Sequence, residues 1–303
     1  MPAEPSVLMS VAQSSNRLWT SAPVDLVRRL FATRFGGVGV VILVAITLLS
    51  VFAPWFASTG PMDTGSPSLQ PPSWQHPFGT DSLGRDVRSV LLYAGRSSLT
   101  IGFSAAAMAF LIGGTIGALA GYFRGALAAV LLRITDLFHT LPAIIIVLFS
   151  VSLIGSNFWL QVAAVALAIW PIEARIVYGQ FITLSEREFV LAARAAGLST
   201  SHVIFKEILP NALPTVIVQV ALDASTAILI EAGLGFLGLS DAAVPSWGEM
   251  LNRGQEFLEL AWWMSVFPGM AICVAVLGFN LFADGVTEMF NPRASAGAPK
   301  LEG

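Results

Sequence analysis

From Leu137 to Ile172 the chain carries no formal charge, the imidazole of His139 aside. At about 1.5 Å per residue, one helix through that stretch would overshoot the roughly 30 Å hydrocarbon core of a bilayer nearly twofold. Gly155-Ser156-Asn157 in its middle reads as a tight turn, which divides the stretch into two spans. Gly36 to Phe56 and Ser97 to Phe123 are further apolar runs of crossing length. A run from Asn211 to Gly235, interrupted by Asp223 and Glu231, and another from Leu260 to Ala283 complete the set. The sequence predicts an all-α integral membrane protein with six transmembrane helices, at about 35–57, 97–122, 131–154, 158–180, 211–235 and 260–283.

Composition closes off the alternatives. Only 12% of the residues are charged and 55% are hydrophobic, with a mean hydropathy of +0.75. Soluble domains carry about 25% charged residues, so this chain has too little charge to cover a water-facing globule. A soluble enzyme and a disordered chain are excluded, and a net charge of −3 excludes a nucleic-acid binder. The single Cys273 has no intramolecular partner and says nothing about redox compartment. Twelve of the 16 Lys and Arg fall on one side of the predicted spans. That bias places both termini in the cytoplasm. Residues 1–34 then form a cytoplasmic N-terminal segment, 35–290 the membrane domain and 291–303 a cytoplasmic tail. Arg residues ahead of the first apolar run also fit a cleavable signal, but that run is longer than a usual signal core and five more spans follow.

Between the spans the sequence is uneven. The outer loop 58–96 opens with Pro61, Pro67, Pro71, Pro72 and Pro77, which favour extended backbone. Asp81 is placed to cap a short amphipathic helix through Leu83, Val87, Val90 and Leu91. His76 has no second His or Cys beside it to make a metal site. Gly113, Gly117 and Gly121 recur every fourth residue, a spacing that lets helix backbones approach closely in lipid, within this bundle or with a second subunit.

Residues 184–210 are the most informative polar stretch. Ser185 and Glu188 have capping-box spacing, Ala192, Ala193 and Ala196 line a small-residue face, and Gly197 supplies a left-handed stop. Ser199 to Ser201 then open a second short helix, and Pro210 and Pro214 mark entry into the fifth span. The result is a helix–turn–helix knob on the cytoplasmic face whose Ala-lined side suits a docking partner. Charged residues inside spans are costly and point to function. Asp223 and Glu231 are offset by roughly 80° on a helix; they line a translocation cavity or bond neighbouring helices. Arg133 and Asp136 are spaced to pair locally, Glu173 and Arg175 read as interface charges, and Trp262 and Trp263 as interfacial anchors. Leu239 to Leu260 reads as a partly re-entrant outer cap or a docking surface.

Several strings together resemble a known family. Glu188-Phe189-Val190-Leu191-Ala192-Ala193-Arg194-Ala195-Ala196-Gly197, followed by Ile208-Leu209-Pro210-Asn211, is similar to the "EAA" loop of ABC importer membrane subunits, in the version of the dipeptide/oligopeptide/nickel permease family. His76 to Asp86, Glu231 to Leu239, Pro245-Ser246-Trp247-Gly248 and Phe279 to Gly285 match that family in the right order. Leu191 replaces the loop's namesake Glu, and Glu207 stands where an aliphatic residue is usual. The resemblance implies a type I ABC importer transmembrane domain whose loop 184–210 couples to a cytoplasmic ATPase through Arg187, Glu188, Phe189, Ala192, Ala193, Arg194, Ala196 and Gly197. It implies a non-catalytic subunit, with ATP and Mg bound by two partner ABC ATPase subunits. It also implies a second, homologous permease subunit in a heterodimer, an extracytoplasmic solute-binding protein, and a bacterial or archaeal plasma membrane. The sequence agrees in having no phosphate-cradling Gly-rich loop followed by Lys-Ser or Lys-Thr. The alternatives are an ion-coupled secondary transporter, for which an internal repeat is expected and not found, and an intramembrane hydrolase, for which no Ser sits in a nucleophile-like Gly motif.

Overall fold

Prolines, glycines and caps cut the apolar runs into helices at places the hydropathy pattern leaves open. The computed structural model describes residues 23–241 and 243–290. The expected tail 291–303 and most of the N-terminal segment 1–34 lie outside the described residues. The helices are α1 (Pro23–Ala32), α2 (Gly36–Val51), α3 (Val87–Phe123), α4 (Gly125–His139), α5 (Ala143–Ile154), α6 (Phe158–Ser185), α7 (Glu188–Ala195), α8 (Leu209–Phe236), α9 (Trp247–Gln255) and α10 (Trp263–Phe290). Among the described residues no strand forms, only an isolated bridge between Thr80 and Asp86.

Helices α3, α6, α8 (with the turns preceding it) and α10 are each long and apolar enough to cross a bilayer. The third expected span is instead two helices, α4 and α5, bent by 83° at the break. Pro142 is the cause, since it has no N–H and disfavours helical backbone in the residue before it. The first span is short. At about 1.5 Å per residue, the 16 residues of α2 cover roughly 24 Å, and the separate turn Ala53–Phe56 continues towards the loop end. Gly155, at φ +100°, ends α5, and the Asn157 side chain caps α6 through Trp159 N, as the turn signal predicts.

The centre of the bundle is the contact of α3 with α6. A Cβ on Gly113 or Gly117 would lie under 3.0 Å from the α6 backbone at Trp170 and Ala174, and one on Gly121 equally close to Phe181. These three glycines therefore set the distance between two helices of the same subunit. Sequence reasoning missed a second close approach, where Gly36 and Gly39 of α2 meet Gly285 and the Gly278–Phe282 backbone of α10.

At the loop end, buried polar groups replace the expected amphipathic helix. Asp86, rather than Asp81, caps α3: its Oδ2 accepts from Ser89 N, Ser89 Oγ and Ser58 Oγ, while His76 Nδ1 lies 3.2 Å from Oδ1. Asp81 is buried and pairs with Arg85 at 2.6 Å. A capped start at Val87 makes Val87, Val90 and Leu91 part of the long α3, so no separate interfacial helix forms. Trp263 is likewise no surface anchor, because it is buried and its indole donates to Thr80 O. Trp262 next to it stays exposed.

Candidate functional site

At the opposite end of the bundle, residues 186–208 stand out as a knob. Ser185 does not open it. Helix α6 continues through Ser185, whose hydroxyl donates to Ile182 O, and Arg187 occupies the cap position of α7 without a side-chain cap bond. The capping box fails because the competing partners of Ser185 are Ile182 of α6 and Arg124 at the junction of α3 and α4. The stop at the other end holds: Gly197 has φ +75°, with Leu198 N donating to Ala193 O and Gly197 N to Arg194 O. Ser199 then caps the next turn through His202 N.

The knob has a buried side and a bare side. Val190, Ala193, Val203 and Ile208 pack with Val177 and Phe181 of α6 and Ala212 and Val216 of α8. Arg187, Glu188, Ala192, Ala196 and Gly197 are exposed, as are the apolar side chains of Phe189, Leu191 and Leu198. Of the residues the sequence assigned to docking, Ala193 faces inward. Arg194 lies over the Tyr122 ring at 4.8 Å, so it helps to fasten the knob to α3.

Two fastening residues were missed by sequence reasoning. Besides Tyr122, Arg124 donates to Ser185 Oγ at 2.9 Å and pairs with Glu186 at 3.0 Å. Arg124 does so from φ +52°, ψ −162°, a backbone conformation that is nearly restricted to glycine. A non-glycine there costs about 1–3 kcal/mol, which the guanidinium's contacts to the knob help to offset. The available signal was a Tyr and an Arg bracketing the end of a span immediately before Gly125.

The intramembrane carboxylates lie inside the subunit. Asp223 is buried and accepts from Gln219 Nε2 at 2.8 Å. Glu173, expected near an interface, is fully buried midway along α6 and faces Asp223 of α8. The helix extends to Ser185 rather than ending near residue 180, which moves Glu173 towards its middle. Glu231 accepts from Ser98 Oγ of α3 at 3.1 Å, and the same hydroxyl accepts from Trp247 N of α9. Asp136 pairs with Arg175 of α6 at 2.5 Å rather than with Arg133. Among the described residues no group of three or more His, Cys, Asp or Glu is placed to hold a metal. An open apolar groove of about 520 Å³ runs beside α3, walled by Leu43 of α2, Phe103 and Phe110 of α3, Val220 of α8 and Phe279 of α10.

Comparison with known proteins agrees with this architecture. Residues 113–296 match the family of binding-protein-dependent transport system inner membrane components, and residues 24–72 match the N-terminal transmembrane domain of oligopeptide transport permease C. The dipeptide transport system permease protein DppC of Alkalihalophilus pseudofirmus is 38% identical over 268 residues, 88% of each chain. The oligopeptide transport system permease protein OppC of Bacillus subtilis is 34% identical over 285 residues, 93% of this chain and 92% of that one. Among solved structures, an inward-facing MetNI methionine ABC transporter matches with a TM-score of 0.51 and 19% identity, over 65% of this chain and 96% of that one. At that identity the likeness is one of fold.

Proposed function

The chain belongs to the family of inner membrane components of binding-protein-dependent transport systems, and from that premise we propose that separate ATPase subunits drive it through its knob. It is a permease subunit of an ATP-binding cassette importer. The observation that carries the coupling reading is the exposure of Phe189, Leu191 and Leu198 on an element whose opposite side is fixed to three membrane helices. A helical knob with a bare apolar side and charged neighbours, Arg187 and Glu188, suits a groove on a protein partner. Its Ala192, Ala196 and Gly197 backbone allows close approach. ATP and Mg belong to those partners, two ATPase subunits per assembly, and the knob end faces the cytoplasm.

The cargo is a dipeptide or oligopeptide, a reading supported by the names of relatives aligned along most of the chain. A second, homologous permease covers the groove beside α3 in a heterodimer, and an extracytoplasmic binding protein delivers the peptide to the loop end. Glu231 holds α8 against α3 within one half of the pathway, a role supported by its burial and its bond to Ser98, while Asp223 is buried on α8 with its bond to Gln219 of the same helix. Nothing in the comparisons supports an ion-coupled secondary transporter.

Phe189→Ala tests the docking surface. Truncating a central aromatic anchor typically costs more than 1 kcal/mol, so capture of the ATPase subunits is expected to weaken about tenfold, since 1.4 kcal/mol is a factor of ten. Affinity of purified variant and parent for the ATPase subunits measures this. Unchanged affinity would remove Phe189 from the surface.

A further inference from the structure

The chain leaves the knob by an unusual route. Val203–Ile208 is wound as a π-helix, and Leu209 N donates to Ile204 O, five residues back, where an α-helix would use Phe205 O. The sequence supplies the reason that α geometry gains little here. Pro210 has no N–H to offer Lys206 O, and Pro214 has none to offer Pro210 O. A side chain substitutes nearby, with Asn211 Nδ2 donating to Glu207 O at 2.7 Å. The turn that leaves the segment therefore lacks one α donor and the next turn lacks another, and the preference for α over π winding is weakened where Lys206 O has no N–H to meet.

The surroundings fix the two ends of this segment and leave its outer side free. Val203 and Ile208 are buried in the core shared by α6, α7 and α8. Phe205 is 62% exposed, and it borders a groove of about 700 Å³ whose far wall includes Phe110, Thr115, Leu119 and Phe123 of α3. Space for Phe205 to move exists on the one side that carries no packing.

We propose that Val203–Ile208 is a slip joint between knob and membrane helix, which exchanges π for α winding when the knob is displaced and so turns α8 about its own axis. One residue of helical winding corresponds to roughly 100°, so partial exchange rotates α8 by tens of degrees relative to the knob, and Ile208, Ala212 and Val216 shift with it in the core they share with Val203. The joint rests on the coupling reading above, and adds to it the place where displacement of the knob becomes rotation of a membrane helix.

The test uses the complete transporter, this permease with its partner subunits, reconstituted in vesicles. Deleting the exposed Lys206 shortens the segment by the residue that π winding accommodates, and Pro210→Ala restores the missing N–H. Both changes favour continuous α winding. Bound ATPase, ATP hydrolysis and uptake of a labelled peptide shown to be a substrate of the parent complex are measured together. Both variants are expected to retain their ATPase subunits and hydrolyse ATP, while peptide taken up per ATP falls about tenfold in the deletion and severalfold in Pro210→Ala, within the usual range of coupling effects. Uptake per ATP unchanged in Pro210→Ala would overturn the joint, whether or not the deletion variant folds. Loss of bound ATPase in Pro210→Ala would also overturn it, by making the segment part of the docking surface. Failure of the coupling reading itself would look different: a permease without its knob would still bind ATPase and import.

Discussion

A permease lacking Ala192–Gly197 is expected to insert into the membrane at the parent level and to lose both its ATPase subunits and its transport. The deletion removes the second half of α7 and the Gly197 turn, and with them the exposed Ala192 and Ala196 between Leu191 and Leu198. Within the deleted stretch only Ala193 is buried, and Arg194 contributes a cation–π contact to Tyr122. Such a contact is worth about 0.5–1 kcal/mol at an exposed site, small beside the packing of α3, α6, α8 and α10. Uptake should therefore fall about a hundredfold or more, since interface anchors of this type each cost about 2 kcal/mol or more, while membrane yield changes little. Normal uptake by the deletion protein would dismiss the knob as the coupling element.

The second large effect concerns the bundle itself. Gly117→Leu should abolish accumulation of folded permease, because even a Cβ at Gly117 would meet the α6 backbone at Ala174 and Tyr178 at under 3.0 Å. Backbone cannot move aside as a side chain does, so the cost exceeds the usual range of about 1–3 kcal/mol for an overpacked core. Gly179→Ala is the control. It lies on the same helix pair, but a Cβ there has nothing within 4 Å, and replacing a mid-helix Gly by Ala gains about 1 kcal/mol. Thermal unfolding and monodispersity in detergent separate the two: Gly117→Leu should aggregate, and Gly179→Ala should match the parent or exceed it. Equal behaviour would show that the Gly113–Gly117–Gly121 row does not set the spacing of α3 and α6.

These two predictions differ in how far the sequence alone supports them. The glycine row and the Gly197 stop are legible because each rests on local stereochemistry: a missing Cβ, a positive φ. The knob's sides were less legible, since the sequence placed Ala192, Ala193 and Ala196 on one docking face and Ala193 instead packs inward with Val190. What the sequence hid depends on partners far along the chain. Ser185 has capping-box spacing, yet Arg124, 61 positions earlier, claims its hydroxyl. Asp136 has an arginine three residues before it, yet pairs with Arg175, 39 positions later, because α4 lies beside α6. Trp263 looks like an interfacial anchor until Thr80, 183 positions earlier, accepts its indole proton. Glu173 was misplaced for another reason. Apolar runs mark where a helix must exist, and α6 continues past the end of its run to Ser185. The π-wound segment does not follow the 3.6-residue period that marks a helix in sequence, and Pro210 and Pro214 are its only local sign.

The helices form one bundle, fastened by Arg124 and Tyr122 to an element that protrudes from it, and in the proposed assembly that bundle is one half of a pathway. Under the proposed coupling, that half has no energy source of its own. Vesicles containing this polypeptide alone, compared with vesicles containing the whole transporter, test the point most directly by their accumulation of labelled peptide. Accumulation above the outside concentration is expected only with the partner subunits and ATP present. Uphill accumulation by the polypeptide alone, without nucleotide, would contradict the proposed coupling.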